Sequence, residues 1–217
     1  MSVRTRWTIV VLAVVAALAL ALVVQLRDES STPPTAQSTA DREHRDADTP
    51  EALADPRRRA NLPPCPVPGG AGPGSGALRA VTVECAADGS TVDLAPALAG
   101  HRVVLNLWAY WCGPCAAELP AMAEYQRRVG SDVMVVTVHQ DENETAALLR
   151  LAELGVHLPT LQDGRRAVAA ALRVANVMPA TVVLRPDGSV AQTLPRAFAN
   201  ADEIVAAIGS DPGQEAG

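Results

Sequence analysis

The chain has 217 residues, nearly half of them apolar, which is enough for one medium-sized domain with its own hydrophobic core and a further segment. Only 3% of the residues are aromatic, so we expect Ala, Val and Leu to form most of this core. The net charge of −6, without a concentrated basic face, argues against nucleic acid as a partner.

The first predicted element is an apolar run at residues 7–26, which contains no charged side chain. A helix of this length is just sufficient to cross a bilayer, since each residue adds about 1.5 Å. Arg4 and Arg6 precede the run and a slightly acidic segment follows it, which places residues 1–6 in the cytoplasm by the positive-inside rule. We therefore predict a single-pass membrane anchor, with the rest of the chain outside the cytoplasm.

A cleaved signal peptide is the alternative interpretation of the same run. Small residues at Ala17, Ala19 and Ala21 offer cleavage sites, but the chain stays apolar as far as Leu26, which favours an uncleaved anchor. In both cases the four cysteines lie in a compartment where disulfides persist.

Residues 27–76 are rich in proline, glycine and charged side chains. Such a segment cannot bury a continuous apolar face, so we predict a tether that is extended at its prolines and flexible at its glycines. Its one basic cluster, Arg57-Arg58-Arg59, is interpreted as a solvated charge run. Contact with anionic lipid head groups is the alternative.

The folded domain is predicted at residues 77–209, followed by a flexible tail at 210–217. Hairpin turns are expected at Asp88-Gly89 and at Asp187-Gly188. The remaining pattern alternates buried strands with helices, which predicts an α/β fold with a central mixed sheet. Strands are predicted at 78–84, 91–94, 103–109, 133–138, 181–184 and 189–193, and helices at 95–98, 112–129, 144–154, 167–172 and 202–208.

The strongest chemical signal is the motif Trp111-Cys112-Gly-Pro-Cys115, at the point where a predicted strand feeds directly into a helix. The free N–H groups and the dipole of a helix N-terminus stabilise a thiolate, so Cys112 is the candidate nucleophile. Cys115, one turn deeper, is the candidate second thiol. A structural zinc site would require four ligands, and the sequence has no second close Cys or His pair.

The segment Trp108-Ala-Tyr-Trp-Cys-Gly-Pro-Cys115 resembles the thioredoxin superfamily. Glu118-Leu-Pro120, Val177-Met-Pro-Ala-Thr181 and the hairpin at Asp88-Gly89 are similar to its exported, membrane-anchored branch of TlpA and ResA type. The resemblance covers about residues 77–209. It implies a thioredoxin fold with an N-terminal β-hairpin extension, and thiol–disulfide oxidoreductase activity.

The resemblance also assigns roles to residues around the motif. Glu118 resembles the active-site glutamate that moves a proton for Cys115, the alternative being a first-turn acid favoured by the helix dipole. Pro179 is the expected cis-proline, and Met178 is expected to offer its backbone to an extended substrate. Trp111 is expected to form the rim of the site. Asn106 occupies the position where cytoplasmic thioredoxins carry a buried Asp.

Cys65 and Cys85 are predicted to form a structural disulfide between the tether and the domain, since the compartment is oxidising. A second redox pair that relays electrons to the first pair is the alternative. His139 is the only histidine placed like a metal ligand. A copper-delivery protein of related fold would have three residues between its cysteines, however, so we predict no metal and no cofactor.

The leading functional hypothesis is a tethered reductant of disulfides in exported proteins, which a membrane thiol electron carrier reduces again. The resemblance implies apocytochrome c as a substrate. The alternatives are an oxidant that forms disulfides in secreted proteins and, in a different class, a metallochaperone or binding module.

Overall fold

The computed structural model describes residues 48–69 and 76–209, all within one compact unit. The predicted anchor at 7–26 lies outside these ranges, as do the cytoplasmic segment, parts of the tether and the C-terminal tail. None of the helices in the two described ranges is long and apolar enough to cross a membrane.

The centre of the fold is a seven-stranded mixed sheet with the strand order β2-β1-β5-β4-β3-β6-β7. Strands β3, β4 and β5 are parallel to one another, whereas β1 joins β5, and β6 joins β3, in antiparallel pairs. The predicted mixed sheet is thereby confirmed. The strands are β1 (Thr82–Cys85), β2 (Thr91–Asp93), β3 (Arg102–Trp108), β4 (Val133–His139), β5 (Thr160–Gln162), β6 (Ala180–Leu184) and β7 (Val190–Leu194).

Six helices and one 3₁₀ turn accompany the sheet in the described ranges. The helix at Glu144 has its predicted bounds, because Asn143 caps its N-terminus and Gly155 ends it in the left-handed conformation. The helices are α1 (Pro50–Ala60), α2 (Leu94–Leu98), α3 (Gly113–Val129), α4 (Glu144–Leu154), α5 (Ala167–Ala171) and α6 (Ala201–Ile208), and the 3₁₀ turn is Ala77–Ala80.

Strand β3 is buried on both faces, so its side chains enter two separate hydrophobic clusters. Val103, Leu105 and Leu107 belong to the cluster covered by α2 and α5. Val104 and Trp108 belong to the cluster covered by α3, α4 and α6. This two-sided burial accounts for the continuous apolar run in the sequence.

The expectation of an extended tether is wrong for residues 50–60, which form α1. The hydroxyl oxygen of Thr49 caps the helix by accepting the Ala52 N–H at 3.2 Å. Leu53 and Ala60 are buried together with Leu148 of α4. The helix therefore depends on packing against α4, which its proline-containing and charged sequence did not reveal.

Arg57 fixes α1 to the domain, so the interpretation of Arg57-Arg58-Arg59 as a uniformly solvated run is also wrong. The Nη2 atom of Arg57 lies 2.9 Å from a carboxylate oxygen of Glu84 in β1 and 3.0 Å from one of Glu144 in α4. Glu144 is 3% exposed, and burial raises its pKa to about 7 while the Arg57 hydrogen bond lowers it.

The first predicted strand is shorter than expected, because Ala77–Ala80 forms a 3₁₀ turn before β1. The hairpin turn is placed as predicted, with Gly89 at a φ of +80° that favours glycine. The sequence reasoning missed β5, which has only three residues and lies between β1 and β4.

Candidate active site

Cys112 and Cys115 are joined by a disulfide at the N-terminus of α3, with their Cα atoms 5.2 Å apart. Cys112 is the N-cap residue, and its Sγ accepts the Cys115 N–H at 3.2 Å. Gly113 and Pro114 form the first helical positions, where the missing N–H of proline costs no hydrogen bond. After reduction, the same N–H and the helix dipole favour a negative charge on the Cys112 sulfur.

The two cysteines differ in depth. Cys112 is 6% exposed, whereas Cys115 is completely buried. Cys112 is therefore the sulfur that a second molecule reaches first.

Met178 and Pro179 lie at the same end of the sheet as the disulfide. The peptide bond between them is cis, as the sequence resemblance implied. Pro179 is followed directly by Ala180, which pairs with Leu107 near the end of β3, and β3 leads to Cys112. Met178 is partly buried against the cluster that contains both cysteines.

The two tryptophans of the motif region have different environments. Trp111 is 58% exposed, and its Nε1–H donates to Oδ2 of Asp141 at 2.9 Å. Trp108 is fully buried, and its ring centroid lies 4.9 Å from that of His139. Trp111 thus borders the site, while Trp108 belongs to the core.

Glu118 is fully buried three residues beyond Cys115. One carboxyl oxygen accepts from Nδ2 of Asn106 at 2.8 Å and the other accepts the Phe198 N–H at 3.1 Å. Burial raises the pKa of Glu118 to about 7, although both hydrogen bonds and the charge of Arg196 lower it. Glu118 lies beyond the first turn of α3, so the alternative of a first-turn acid is wrong.

The contact between Asn106 and Glu118 was not predicted, although each residue had been singled out. An amide in the middle of an otherwise apolar strand was the available signal, since a buried polar group needs a partner. Oδ1 of Asn106 and the hydroxyl of Thr181, its neighbour on β6, have no hydrogen-bond partner in the described part of the chain. The interior beside Glu118 is therefore polar and incompletely satisfied.

His139 is fully buried and both of its ring nitrogens are in use. Nε2 accepts the Tyr110 N–H at 3.3 Å, so Nδ1 carries the proton that is shared with Oε1 of Gln162 at 2.8 Å. Burial lowers the pKa of His139 and keeps the ring neutral. Across residues 48–69 and 76–209, no three His, Cys, Asp or Glu side chains are grouped as metal ligands.

Cys65 and Cys85 form a second disulfide, which joins the segment after α1 to the end of β1. Both cysteines are buried in the cluster that α2 and α5 cover. The cluster that contains Cys112 and Cys115 lies on the other face of the sheet. The structure therefore does not bring the two disulfides together.

A mixed sheet with a Cys-x-x-Cys pair at a helix N-terminus and a cis-proline at the neighbouring strand defines a thioredoxin-like fold. The Redoxin family model matches residues 73–205, which is more than half of the chain. The chain belongs to the Redoxin family.

Several characterised proteins are similar to this chain. The thiol-disulfide oxidoreductase ResA of Bacillus subtilis is 32% identical over 108 residues, which are 49% of this chain and 59% of ResA. ResA of Oceanobacillus iheyensis is 35% identical over 107 residues, 48% of this chain and 53% of that protein. The chain thus spans little more than half the length of these relatives.

Solved structures extend the likeness. A secreted Mycobacterium tuberculosis disulfide oxidoreductase homologous to Escherichia coli DsbE superimposes with a TM-score of 0.51 at 25% identity, over 59% of this chain and 96% of that one. A DsbF homologue from Corynebacterium diphtheriae gives a TM-score of 0.51 at 26% identity, over 60% of this chain and 83% of that one.

Proposed function

We propose that this chain is a thiol–disulfide oxidoreductase that acts through Cys112 and Cys115. The observation that carries the proposal is the disulfide at the N-terminus of α3, with Cys112 as the N-cap and Cys115 buried behind it. The similarity to the ResA thiol-disulfide oxidoreductases and to the secreted M. tuberculosis disulfide oxidoreductase supports it.

In the reducing direction, the Cys112 thiolate attacks one sulfur of a substrate disulfide and expels the other sulfur as a thiolate. A mixed disulfide then joins Cys112 to the substrate. Cys115 loses its proton and attacks the Cys112 sulfur, which releases the second substrate sulfur. The products are a substrate dithiol and the Cys112–Cys115 disulfide, so two electrons pass to the substrate.

Glu118 supplies the base for the second step. Cys115 is buried, so its proton needs an acceptor inside the protein. Glu118 is a carboxyl on the same side of α3 one turn further on, and its pKa of about 7 allows it to accept and return a proton near neutral pH. Asn106 and the Phe198 N–H hold this carboxyl in position.

Substrate is proposed to lie across Trp111, Met178 and Pro179. The exposed ring of Trp111 offers apolar contact, and the backbone at Met178 precedes a strand end where an extended peptide is able to pair. Disulfides of exported proteins, with apocytochrome c among them, are the proposed substrates. A membrane thiol carrier is the proposed source of electrons.

The proposed location is the outer side of a cell membrane, with residues 7–26 as the anchor. The apolar run and the two preceding arginines support this location. Protease treatment of intact spheroplasts is expected to remove residues 48–209 while leaving a membrane-bound N-terminal fragment. Recovery of the whole chain in the soluble fraction would contradict the anchor.

The direction of electron flow is tested by the reduction potential of the Cys112–Cys115 couple in the full-length chain. We expect a value near the −270 mV that is typical of thioredoxin, because Gly and Pro separate the cysteines. A value near −120 mV, as in a strong oxidase, would favour an oxidant instead.

The activity itself is tested with Cys115→Ser, which removes the sulfur that resolves the mixed disulfide. This variant is expected to accumulate a covalent complex with its substrate that dithiothreitol releases. Cys112→Ser is the matched control and should trap nothing. Equal trapping by both variants, or none by either, contradicts the assignment of Cys112 as the nucleophile.

A further inference from the structure

Arg166 has an unusual backbone conformation close to the proposed substrate site. Its φ is +57°, in the left-handed region that residues other than glycine rarely adopt. The residue directly precedes the short helix α5, where glycine would fit without strain. Backbone outliers of this kind often mark positions where the side chain has a function.

The guanidinium group of Arg166 lies between two segments at the disulfide end of the sheet. Its Nε donates to Oε1 of Gln140 at 3.3 Å, and its Nη1 donates to Oδ1 of Asn176. The Gln140 N–H donates to the Trp108 carbonyl at 2.9 Å, just before the cysteine motif. Asn176 is exposed and lies two residues before Met178.

The guanidinium of Arg166 is hydrogen-bonded to no carboxylate in the described part of the chain. Both of its side-chain partners are neutral amides, and it forms no ion pair within the described ranges. The nearby carboxylate of Asp163 accepts the backbone N–H groups of Ala167 at 2.8 Å and Val168 at 2.9 Å. Burial raises the pKa of Asp163, and the charge of Arg166 lowers it without a hydrogen bond between the two side chains.

Gln140 places an unpaired N–H donor next to the Arg166 guanidinium. The residue is 4% exposed, and its Nε2 has no hydrogen-bond acceptor among the residues that the structure describes. Its Oε1 is occupied by Arg166, which fixes the amide orientation. A guanidinium next to an unpaired amide N–H group is the donor arrangement that suits a carboxylate.

We propose that Arg166 is a specificity-determining residue, which pairs with a carboxylate of the substrate close to the disulfide under attack. The inference rests on the proposed oxidoreductase function, since the substrate reaches Arg166 only if it lies along Met178 and Pro179. The carboxylate belongs either to an acidic side chain of a polypeptide or to a small thiol compound.

The test measures the rate at which the reduced full-length chain reduces three model disulfides. Two are peptides with blocked termini that differ only in having Glu or Gln beside the cysteine, and the third is glutathione disulfide. The variants are Arg166→Gln and, as the matched control, Arg165→Gln. Arg165 is the exposed neighbour with the same charge, and its side chain has no hydrogen bond or ion pair with any residue that the structure describes.

Wild type is expected to reduce the Glu peptide about fivefold faster than the Gln peptide, as suits a half-exposed ion pair. Arg166→Gln should abolish this preference, and Arg165→Gln should retain it. In wild type, 0.5 M salt should reduce the ratio of the two rates, because salt screens the ion pair. An Arg166-dependent effect confined to glutathione disulfide assigns the carboxylate to a small molecule.

Equal rates with the Glu and Gln peptides, together with no effect of Arg166→Gln on glutathione disulfide, would overturn the inference while leaving the oxidoreductase function intact. The same holds if Arg165→Gln abolishes the preference as fully as Arg166→Gln does. Failure of wild type to reduce any of the three disulfides would instead contradict the proposed function itself. The two failures are therefore distinguishable.

Discussion

At the scale of single residues, the pKa of Glu118 is set by two opposing effects. Glu118 is excluded from water, yet it has hydrogen-bond donors on both carboxyl oxygens. Burial favours the neutral acid and the donors favour the carboxylate. The balance leaves its pKa at about 7, close to the pH at which a proton must be moved.

The raised pKa of Glu118 makes stability depend on pH in a defined direction. The folded chain binds this proton up to about pH 7, whereas the unfolded chain releases it near 4.5. The native state thus binds more protons between these values, so stability falls as pH rises through them. We expect wild type to lose about 3 kcal/mol relative to Glu118→Gln between pH 4.5 and 7.5.

Urea unfolding of the oxidised proteins at several pH values measures this difference. Subtracting the Glu118→Gln curve removes the contribution of other groups, Glu144 included. Glutamine is a suitable replacement because its N–H group is able to donate to Oδ1 of Asn106, which has no partner in the described ranges, after the Asn106 amide rotates. A flat difference between the two curves would show that Glu118 titrates normally.

The same substitution separates the two chemical steps. Glu118→Gln is expected to slow the release of substrate from the mixed disulfide by about 100-fold at pH 7, because Cys115 loses its base. Formation of the mixed disulfide by Cys112 should be unchanged. Rapid acid quenching at several pH values resolves both rates. An equal effect on both steps would assign Glu118 a structural role only.

At the scale of elements, α1 is held by its packing against α4 and by Arg57, which reaches two carboxylates. The side chain of Arg57 is 14% exposed and that of Glu144 is 4% exposed, whereas Glu84 is 46% exposed. Most of the coupling therefore lies in the buried pair. Loss of one member of such a pair leaves the other without compensation.

Arg57→Ala is expected to lower the free energy of unfolding by about 2–3 kcal/mol at pH 8. The loss should be smaller at pH 6, where Glu144 is able to take up a proton. Arg58→Ala is the matched control, since Arg58 is 71% exposed and its ion-pair partner among the described residues is the exposed Asp55. We expect a change below about 0.5 kcal/mol.

Chemical denaturation of both variants and of Arg57→Ala/Glu144→Gln provides the measurement. Removing the buried charge as well should restore part of the lost stability. If Arg57→Ala and Arg58→Ala behave alike, the ion pair does not hold α1 in place.

At the scale of the whole molecule, the Cys65–Cys85 disulfide closes a loop with a sequence separation of 20 that passes through the first strand. Cys65→Ala/Cys85→Ala is expected to cost about 3 kcal/mol through the entropy of the unfolded chain. The rate at which Cys112 attacks a peptide disulfide should stay within about twofold of wild type, since the two disulfides pack on opposite faces. A large loss of turnover would revive the relay hypothesis.

Most of the sheet and the cysteine site could be predicted because their signals are local. The pattern of Val103 to Ala109 predicts a buried strand, and that of Cys112 to Val129 predicts a helix. The junction between them predicts the position of the nucleophile Cys112. Helix α1 and strand β5 could not be predicted in the same way. The first is stabilised by Leu148 and Glu144, about 90 residues away, and the second by pairing with β1 and β4.

The same limit applies inside the site. Glu118 and Asn106 were each identified in the sequence, but the packing of α3 on β3 is what brings the amide into contact with the carboxyl. Neither the composition nor the periodicity of the sequence predicted the positive φ of Arg166. Such features arise from tertiary contacts, which a pattern of residue types does not contain.

Helix α1 and the disulfide behind it have a practical consequence for protein production. A recombinant fragment starting at Ala77, where the sequence suggests the boundary, would leave Cys85 without its disulfide partner Cys65. It would also expose Leu148, which packs against α1, and remove the Arg57 ion pair from Glu144. The segment needed for stable folding therefore begins about thirty residues before the predicted start of the catalytic domain. A fragment for recombinant production should start before Asp48.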